Sequence, residues 1–314
     1  GRASVKFTNG STATLILEFQ IPLFLDHHMI HNFRVYTGMD GGKIETVGAQ
    51  TLRRGLSVLR LLTRVGPGGI RVSDIGRRVG LNKATAIRLT RTLTDEGFVI
   101  NDPVSGRYRL GPEAFAVGLA AEPSFELQRL ASPLLRRLAL ETGDTVLFSV
   151  LHGHEAICLS RDEGDFPIRN QLIKAGDRWL LGVGAGACAI LAALSDDEVR
   201  DVLVRNAEVR MARFPRCTDA AVWDLIAQTR THGYCLQPGL VVEGSWAVGV
   251  PVFDENQRPV AAISIAAIEL RLGTVRSVQI GSRLVRASRE LTELQIASDT
   301  AAQGDVQVGT VDVI

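Results

Sequence analysis

Cysteine is scarce: four residues in 314, at 158, 188, 217 and 235, with no Cys-x-x-Cys pair among them. That spacing excludes a disulfide-stapled secreted scaffold and does not form a zinc site, so the thiols read as reduced ones in a cytoplasmic protein. No apolar run approaches the roughly 20 residues needed to span a bilayer. An excess of one charge is missing too, since 35 Lys and Arg stand against 34 Asp and Glu. The sequence has no Gly-x-Ser-x-Gly elbow and no His-Glu-x-x-His pair, which removes two common hydrolytic designs. Gly182-Val-Gly-Ala-Gly186 superficially resembles a phosphate loop. A dinucleotide fingerprint, however, places its glycines between the first strand and helix of a βαβ unit, and the strands around this loop read as antiparallel. Gly244-Ser245 has no histidine base by sequence. His27, His28 and His31 lack accompanying cysteine or carboxylate spacing, and His152-Gly-His154 reads as a turn between strands. No catalytic residue, metal or cofactor is expected.

What is present is an asymmetry. The length and an apolar content of 46% suit a soluble globular protein of two domains, with a core that needs no disulfides. Residues 50–110 hold twelve Arg and Lys against four acids, a net +8, while the whole chain is +1, leaving −7 elsewhere. A basic module on an acidic remainder is the footprint of a phosphate-backbone binder.

Within that module, Val72–Leu93 reads as two short helices about a tight Gly80-Leu81-Asn82 turn. Ser73 is the expected N-cap of the first and Asn82 of the second, which runs toward Gly97. Ile75 and Val79 give the first helix an apolar face. In the second, Ala86, Leu89 and Leu93 face a core with Ile87 on their flank, while Thr85, Arg88, Arg91 and Thr92 lie opposite and Lys83 sits at the exposed start. The turn alone leaves a DNA-reading unit and an ordinary helical hairpin with a solvated basic face about equal. The following alternation on both sides of Asn101–Gly106 decides between them, because it is a β-hairpin with Arg107 and Arg109 on one strand face. A helix-turn-helix followed by a basic hairpin is a winged helix. Lys83, Thr85, Arg88 and Arg91 are the expected DNA contacts of the recognition helix, with Arg107 and Arg109 at the wing. Arg88 can contact a base, hold a phosphate or brace the helix.

Residues 1–38 match nothing downstream and are set apart as an atypical extension, non-native or dispensable, with the functional chain starting near Met39. The DNA-binding domain is assigned to 45–111. It is entered by an amphipathic helix over Thr51–Leu62 with Leu52, Leu56, Leu59 and Leu62 as its apolar positions. A nearly uncharged linker helix over 112–122, apolar through Ala114–Ala121, calls for a helix partner and hence a dimer. Residues 123–297 read as α+β. The expected helices are Phe125–Thr142, Ala185–Leu194, Asp196–Arg205 capped by Ser195, Asp219–His232 and Thr274–Ile296. The expected strands are Thr145–Leu151, Ala156–Arg161, Arg169–Lys174, Ala247–Phe253 and Pro259–Ala267. A disordered tail is expected over 298–314.

These pieces resemble the IclR family of bacterial transcription regulators over roughly residues 48–297. The resemblance rests on Ile75-Gly-Arg-Arg-Val-Gly-Leu81, Arg88 and Gly106-Arg-Tyr-Arg-Leu-Gly111 in the first half. In the second it rests on Ala175-Gly-Asp-Arg178, Gly184-Ala-Gly186, Gly233-Tyr234, Pro251-Val-Phe-Asp254 and Ala261-Ala-Ile-Ser264. It implies an N-terminal winged helix, a linker helix used in dimerisation, and a C-terminal α/β effector domain of GAF-like fold that takes a small organic or aromatic acid. It also places Gln237, Ser245, Ala247, Ser264 and Ala266 around the effector pocket, beside Gly184 and Ala185. The physical chemistry agrees. The Gly184–Gly186 turn opens a helix whose first amides have no intrahelical partners, and those amides with the helix dipole favour an anion. The same glycines would also serve tight helix–sheet packing. Two departures stand out: Gly186-Ala-Cys188 where the family usually has Gly-Lys-Ala, and Trp179-Leu180 where it often has a proline. The expected partners are duplex DNA with a partly palindromic operator, the acid effector, and further copies in a homodimer or tetramer, with no membrane. A winged helix reused for protein contacts is the alternative, and an enzyme the remotest one.

Overall fold

The computed structural model describes residues 49–121, 125–168 and 172–306, with side chains as far as 298. The extension 1–38 therefore lies outside the described residues, as do the ends of the expected domains at 45–48 and 122–124. The described residues divide into two compact units, 49–121 and 125–306. No helix among them is long and apolar enough to cross a membrane.

The first unit runs α1 (Ala49–Leu62), β1 (Ile70–Arg71), α2 (Val72–Val79), α3 (Lys83–Asp95), β2 (Val99–Asp102), β3 (Arg107–Leu110) and α4 (Pro112–Ala121). The three strands form an antiparallel sheet in the order β1-β3-β2. Val58, Leu61, Leu62, Ile70, Ile75 and Val99 make the core, with Leu59 packed against it. Of the four expected positions of α1, Leu59 and Leu62 thus meet the core, while Leu52 and Leu56 are exposed; the buried stripe is completed by Val58 and Leu61, one turn from the end of the helix that meets α2 and the sheet. Ser73 is not the cap of α2. The helix starts directly from β1, with Arg71 at the N-cap position and no capping side chain. Gly76 sits where α2 crosses the turn: a Cβ there would lie 3.1 Å from the Leu81 carbonyl oxygen and 3.4 Å from the Ala86 Cβ. On α4, Phe115, Val117 and Leu119 are all more than half exposed.

The second unit runs α5 (Glu126–Thr142), β4 (Thr145–His152), β5 (Glu155–Asp162), β6 (Arg178–Leu180), α6 (Ala185–Ala192), α7 (Asp196–Arg213), α8 (Asp219–His232), β7 (Cys235–Pro238), β8 (Ser245–Phe253), β9 (Pro259–Ile268) and α9 (Thr274–Val306). Its six strands form one antiparallel sheet, ordered β6-β5-β4-β9-β8-β7. Alternation along the strands sorts the two faces. Val146, Phe148, Val248, Val250, Ile263 and Ile265 pack against α5 and α9. The opposite face carries small residues and meets α6 to α8, whose core includes Leu181, Ile190, Leu191, Val199 and Ile226.

Most bounds differ from expectation by one or two residues, and four differences are larger. Residues 172–174 are not a strand, and 169–171 lie outside the described residues; the edge strand comes later, at Arg178–Leu180. Strand β7 was not expected because it is four residues long and ends in proline. Helix α7 continues eight residues past Arg205, since its buried stripe passes through the polar Asn206 and Arg210. Its start is the expected Ser195, in a capping box where Ser195 N donates to Glu198 Oε2 at 3.0 Å and Glu198 N to Ser195 Oγ at 3.4 Å. Helix α9 runs on to Val306, so 298–306 is helical rather than disordered. That stretch contains Ala301, Ala302 and Gln303 and no proline, which suits helix continuation. Residues 307–314 lie outside the described residues.

Candidate DNA-reading surface and ligand cavity

In the first unit, Asn82 fixes the start of α3: Thr85 N donates to its Oδ1 at 2.8 Å. Ala86, Leu89 and Thr90 are buried, which turns Lys83, Arg88 and Arg91 outward and leaves Thr85 half-buried. Ile87, expected on the core flank, is exposed. Arg91 lies 3.9 Å from Asp95 on the exposed surface, a pairing too weak and too open to hold it. Among the described residues Arg88 has no acidic partner. Arg107 and Arg109 share the exposed face of β3, but they are not equivalent. Arg107 Nη1 donates to the Gly69 carbonyl at 2.9 Å, so it braces the wing against the loop before β1. The wing turn is closed by Asp102, which accepts from Val104 N at 2.9 Å and Ser105 Oγ at 2.8 Å. The Ser105 hydroxyl, then these amides, hold its carboxyl below the usual range.

In the second unit a cavity opens between the sheet and the N-terminus of α6. All seven residues assigned to an effector site line it: Gly184, Ala185, Gln237, Ser245, Ala247, Ser264 and Ala266. They come from four elements and the loop before one of them. Gly184 is the N-cap of α6, with φ +80°, and Ala185 and Gly186 already belong to its first turn. The helix can start this close to the sheet because position 249 of β8 has no side chain. A Cβ on Gly249 would lie 2.6 Å from the Ala185 carbonyl. Next to it, a Cβ on Gly186 would stand 3.2 Å from Ser264 Oγ. Gln237 and Ser264 are both buried, and among the described residues the Gln237 Nε2 has no hydrogen-bond partner. An unmet buried amide costs about 1–3 kcal/mol unless a ligand or water meets it. Among the described residues no Lys, Arg, His, Asp or Glu lines the cavity.

Sequence reasoning missed part of the wall. Leu147, Ser149, Ala156, Leu172, Ile173 and Trp179 also face the cavity. Trp179 was noted only as a departure from a pattern; its proximity to Gly184 along the chain was the available signal. The cysteines take no part in the lining. All four are buried, and burial pushes Cys158 up to about 12 and Cys217 up to about 11. A hydrogen bond with Cys235, then burial, raises Cys188 as well. Among the described residues no group of His, Cys, Asp or Glu is arranged to hold a metal ion.

A winged helix with an outward basic face, and a separate α/β unit with a cavity at a helix N-terminus, define a ligand-responsive DNA-binding protein. The model of the IclR helix-turn-helix domain matches residues 51–103. That of the bacterial transcriptional regulator IclR C-terminal domain matches residues 120–293. The chain belongs to the IclR family of transcriptional regulators, and it is a regulator rather than an enzyme. It is 30% identical over 245 residues to the transcriptional repressor IclR of Escherichia coli K12, covering 77% of this chain and 89% of that protein. It is also 30% identical over 251 residues to the repressor AllR of Klebsiella pneumoniae, covering 78% and 89%. Among solved structures, an IclR family regulator from Brucella abortus matches with a TM-score of 0.62 at 25% identity, over 78% of this chain and 92% of that one. An IclR homolog from Microbacterium hydrocarbonoxydans, complexed with 4-hydroxybenzoate, has the same fold, with a TM-score of 0.64 at 22% identity over 79% and 99%.

Proposed function

We propose that the chain is a cytoplasmic homodimer that reads a partly palindromic operator and is switched by a small organic or aromatic acid. Lys83, Thr85, Arg88 and Arg91 enter the major groove on α3, while Arg107 and Arg109 follow the backbone beside the wing. The exposed Phe115, Val117 and Leu119 of α4 supply the apolar surface for pairing, and two-fold protein symmetry calls for paired half-sites. The acid lies in the cavity at α6, contacted by Gly184, Ala185, Gln237, Ser245, Ala247, Ser264 and Ala266. The observation that carries this reading is the unmet Gln237 amide, buried beside the free amides of a helix N-terminus. Both are donors, so the occupant presents an acceptor, and the helix dipole favours a negative one. The 4-hydroxybenzoate bound by the Microbacterium homolog is a molecule of this kind. The test is calorimetric titration of the full chain with benzoate and pyruvate, in wild type and Gln237→Leu. Binding of either acid that weakens at least tenfold in the variant supports the reading; binding unaffected by the change refutes it.

A further inference from the structure

We propose that Trp179, as a wall of the cavity, selects a flat ring, so that the effector is an aromatic acid and not an aliphatic one of equal size. This rests on the reading of the cavity as the effector site and adds the class of ligand it takes.

The cavity combines a few polar groups with one large aromatic wall. Gln237, Ser264 and the first amides of α6 supply the polar groups. Among the described lining residues no side chain carries a charge, so these groups recognise an acceptor without regard to what it is attached to. Discrimination falls to the wall. Trp179 projects from the edge strand β6, paired with Ala156 of β5, toward the start of α6: a Cβ on Gly184 would sit 3.7 Å from its Cε3.

The indole is held from behind. The Phe214 ring lies 5.5 Å from it, centroid to centroid, tilted by 33°, and the Arg213 guanidinium stands 5.1 Å from the Phe214 centroid. Phe214 is itself fixed by the buried Arg210. Phe214 N donates to the Arg210 carbonyl at 2.7 Å. The Arg210 side chain donates to the Cys217 carbonyl at 2.7 Å and to the Asp219 carboxylate. Trp179 is therefore a braced wall rather than a loose surface side chain.

Gly184, Ala185 and Ala187 at the start of α6 leave room beside the indole, with the branched Leu147, Ile173 and Val183 on the same cavity wall. A planar ring laid against the indole keeps contact over its whole face. A saturated ring touches the indole only through its axial hydrogens, and an aromatic pair is worth about tenfold in binding beyond the area it covers.

Benzoate and cyclohexanecarboxylate isolate this term, since they offer the same carboxylate on rings of the same carbon number. Calorimetry on the full chain is expected to give benzoate the tighter binding by about tenfold. In Trp179→Leu the two acids should fall within about twofold of each other, while Trp179→Phe, which keeps a flat ring, retains most of the preference. Equal affinity of the wild type for both acids overturns the proposal, as does a preference that survives in Trp179→Leu. If both bind equally and Gln237→Leu abolishes both, the cavity is the effector site and only the role of Trp179 fails. If neither binds the wild type, this inference and the acid reading of the cavity fall together.

Discussion

Gly249 of β8 lies directly against Ala185 of α6, closely enough that a Cβ at 249 would stand 2.6 Å from the Ala185 carbonyl and 2.7 Å from Gly186 N. The helix N-terminus is thus seated on bare strand backbone, and the depth of the cavity depends on the absence of one methyl group.

Gly249→Ala should therefore lower stability by about 1–3 kcal/mol, the usual cost of forcing atoms into a packed interior, and should weaken ligand binding by displacing α6. Gly55→Ala on α1 is the control. Nothing lies within 4 Å of a Cβ there, and alanine is the better helix former, so its melting temperature should hold or rise. Chemical denaturation of both variants checks the contrast.

The two arginines at α3 and the wing should part company. Arg88→Ala is expected to weaken specific DNA binding by about 1–3 kcal/mol if it contacts a base. If it holds a phosphate, the loss is similar across sequences and the salt slope is shallower. Arg107→Ala should lower the melting temperature as well as the affinity, because it also removes the bond to the Gly69 carbonyl. Unchanged affinity in Arg88→Ala would take that residue out of the interface.

Sequence patterning resolved best where the period was unambiguous and a capping or turn residue marked the edge. Asn82, Ser195 and the Asn101–Gly106 turn are such cases. It failed in part where apolar positions run past the contact, as in α1, where Leu59 and Leu62 meet the core as expected but Leu52 and Leu56 are exposed and Val58 and Leu61 take their place. It also failed where burial is polar. Asn206 and Arg210 hide the second half of α7, since a buried arginine satisfied by carbonyls looks like a solvated one in a sequence. Gly184 and Ala185 were legible from the glycine turn that opens a helix, whereas Gln237, Ser245, Ala247, Ser264 and Ala266 were legible only through family resemblance, because Ala247 and Ala266 have no chemistry that singles them out. Trp179 enters the wall through pairing of β6 with β5, a tertiary fact for which its nearness to Gly184 in the chain was the one local cue.

The thiols give a pH prediction. With folded values raised, to about 12 for Cys158 and about 11 for Cys217, the unfolded chain loses these protons first. Their contribution to stability is complete below pH 9, near the ordinary thiol value, and fades as pH rises through 11 and 12. The native protein at pH 8 should accordingly resist a thiol reagent such as Ellman's and expose all four cysteines on unfolding in guanidinium. Rapid reaction of the native chain would contradict the burial of Cys158, Cys188, Cys217 and Cys235.

The coupling of the cavity to DNA is tested most directly by operator affinity across a benzoate titration. The operator is a duplex selected from a random pool by the full chain, and the readout is fluorescence anisotropy. Wild-type affinity should change by about 5–150-fold, and benzoate affinity should change by the same factor when the operator is present. Ala266→Leu, which adds three carbons to the cavity wall, should bind the operator normally and ignore benzoate. A wild type whose operator affinity is unchanged at saturating benzoate, or an Ala266→Leu protein that responds as strongly as the wild type, would contradict control of DNA binding from this cavity.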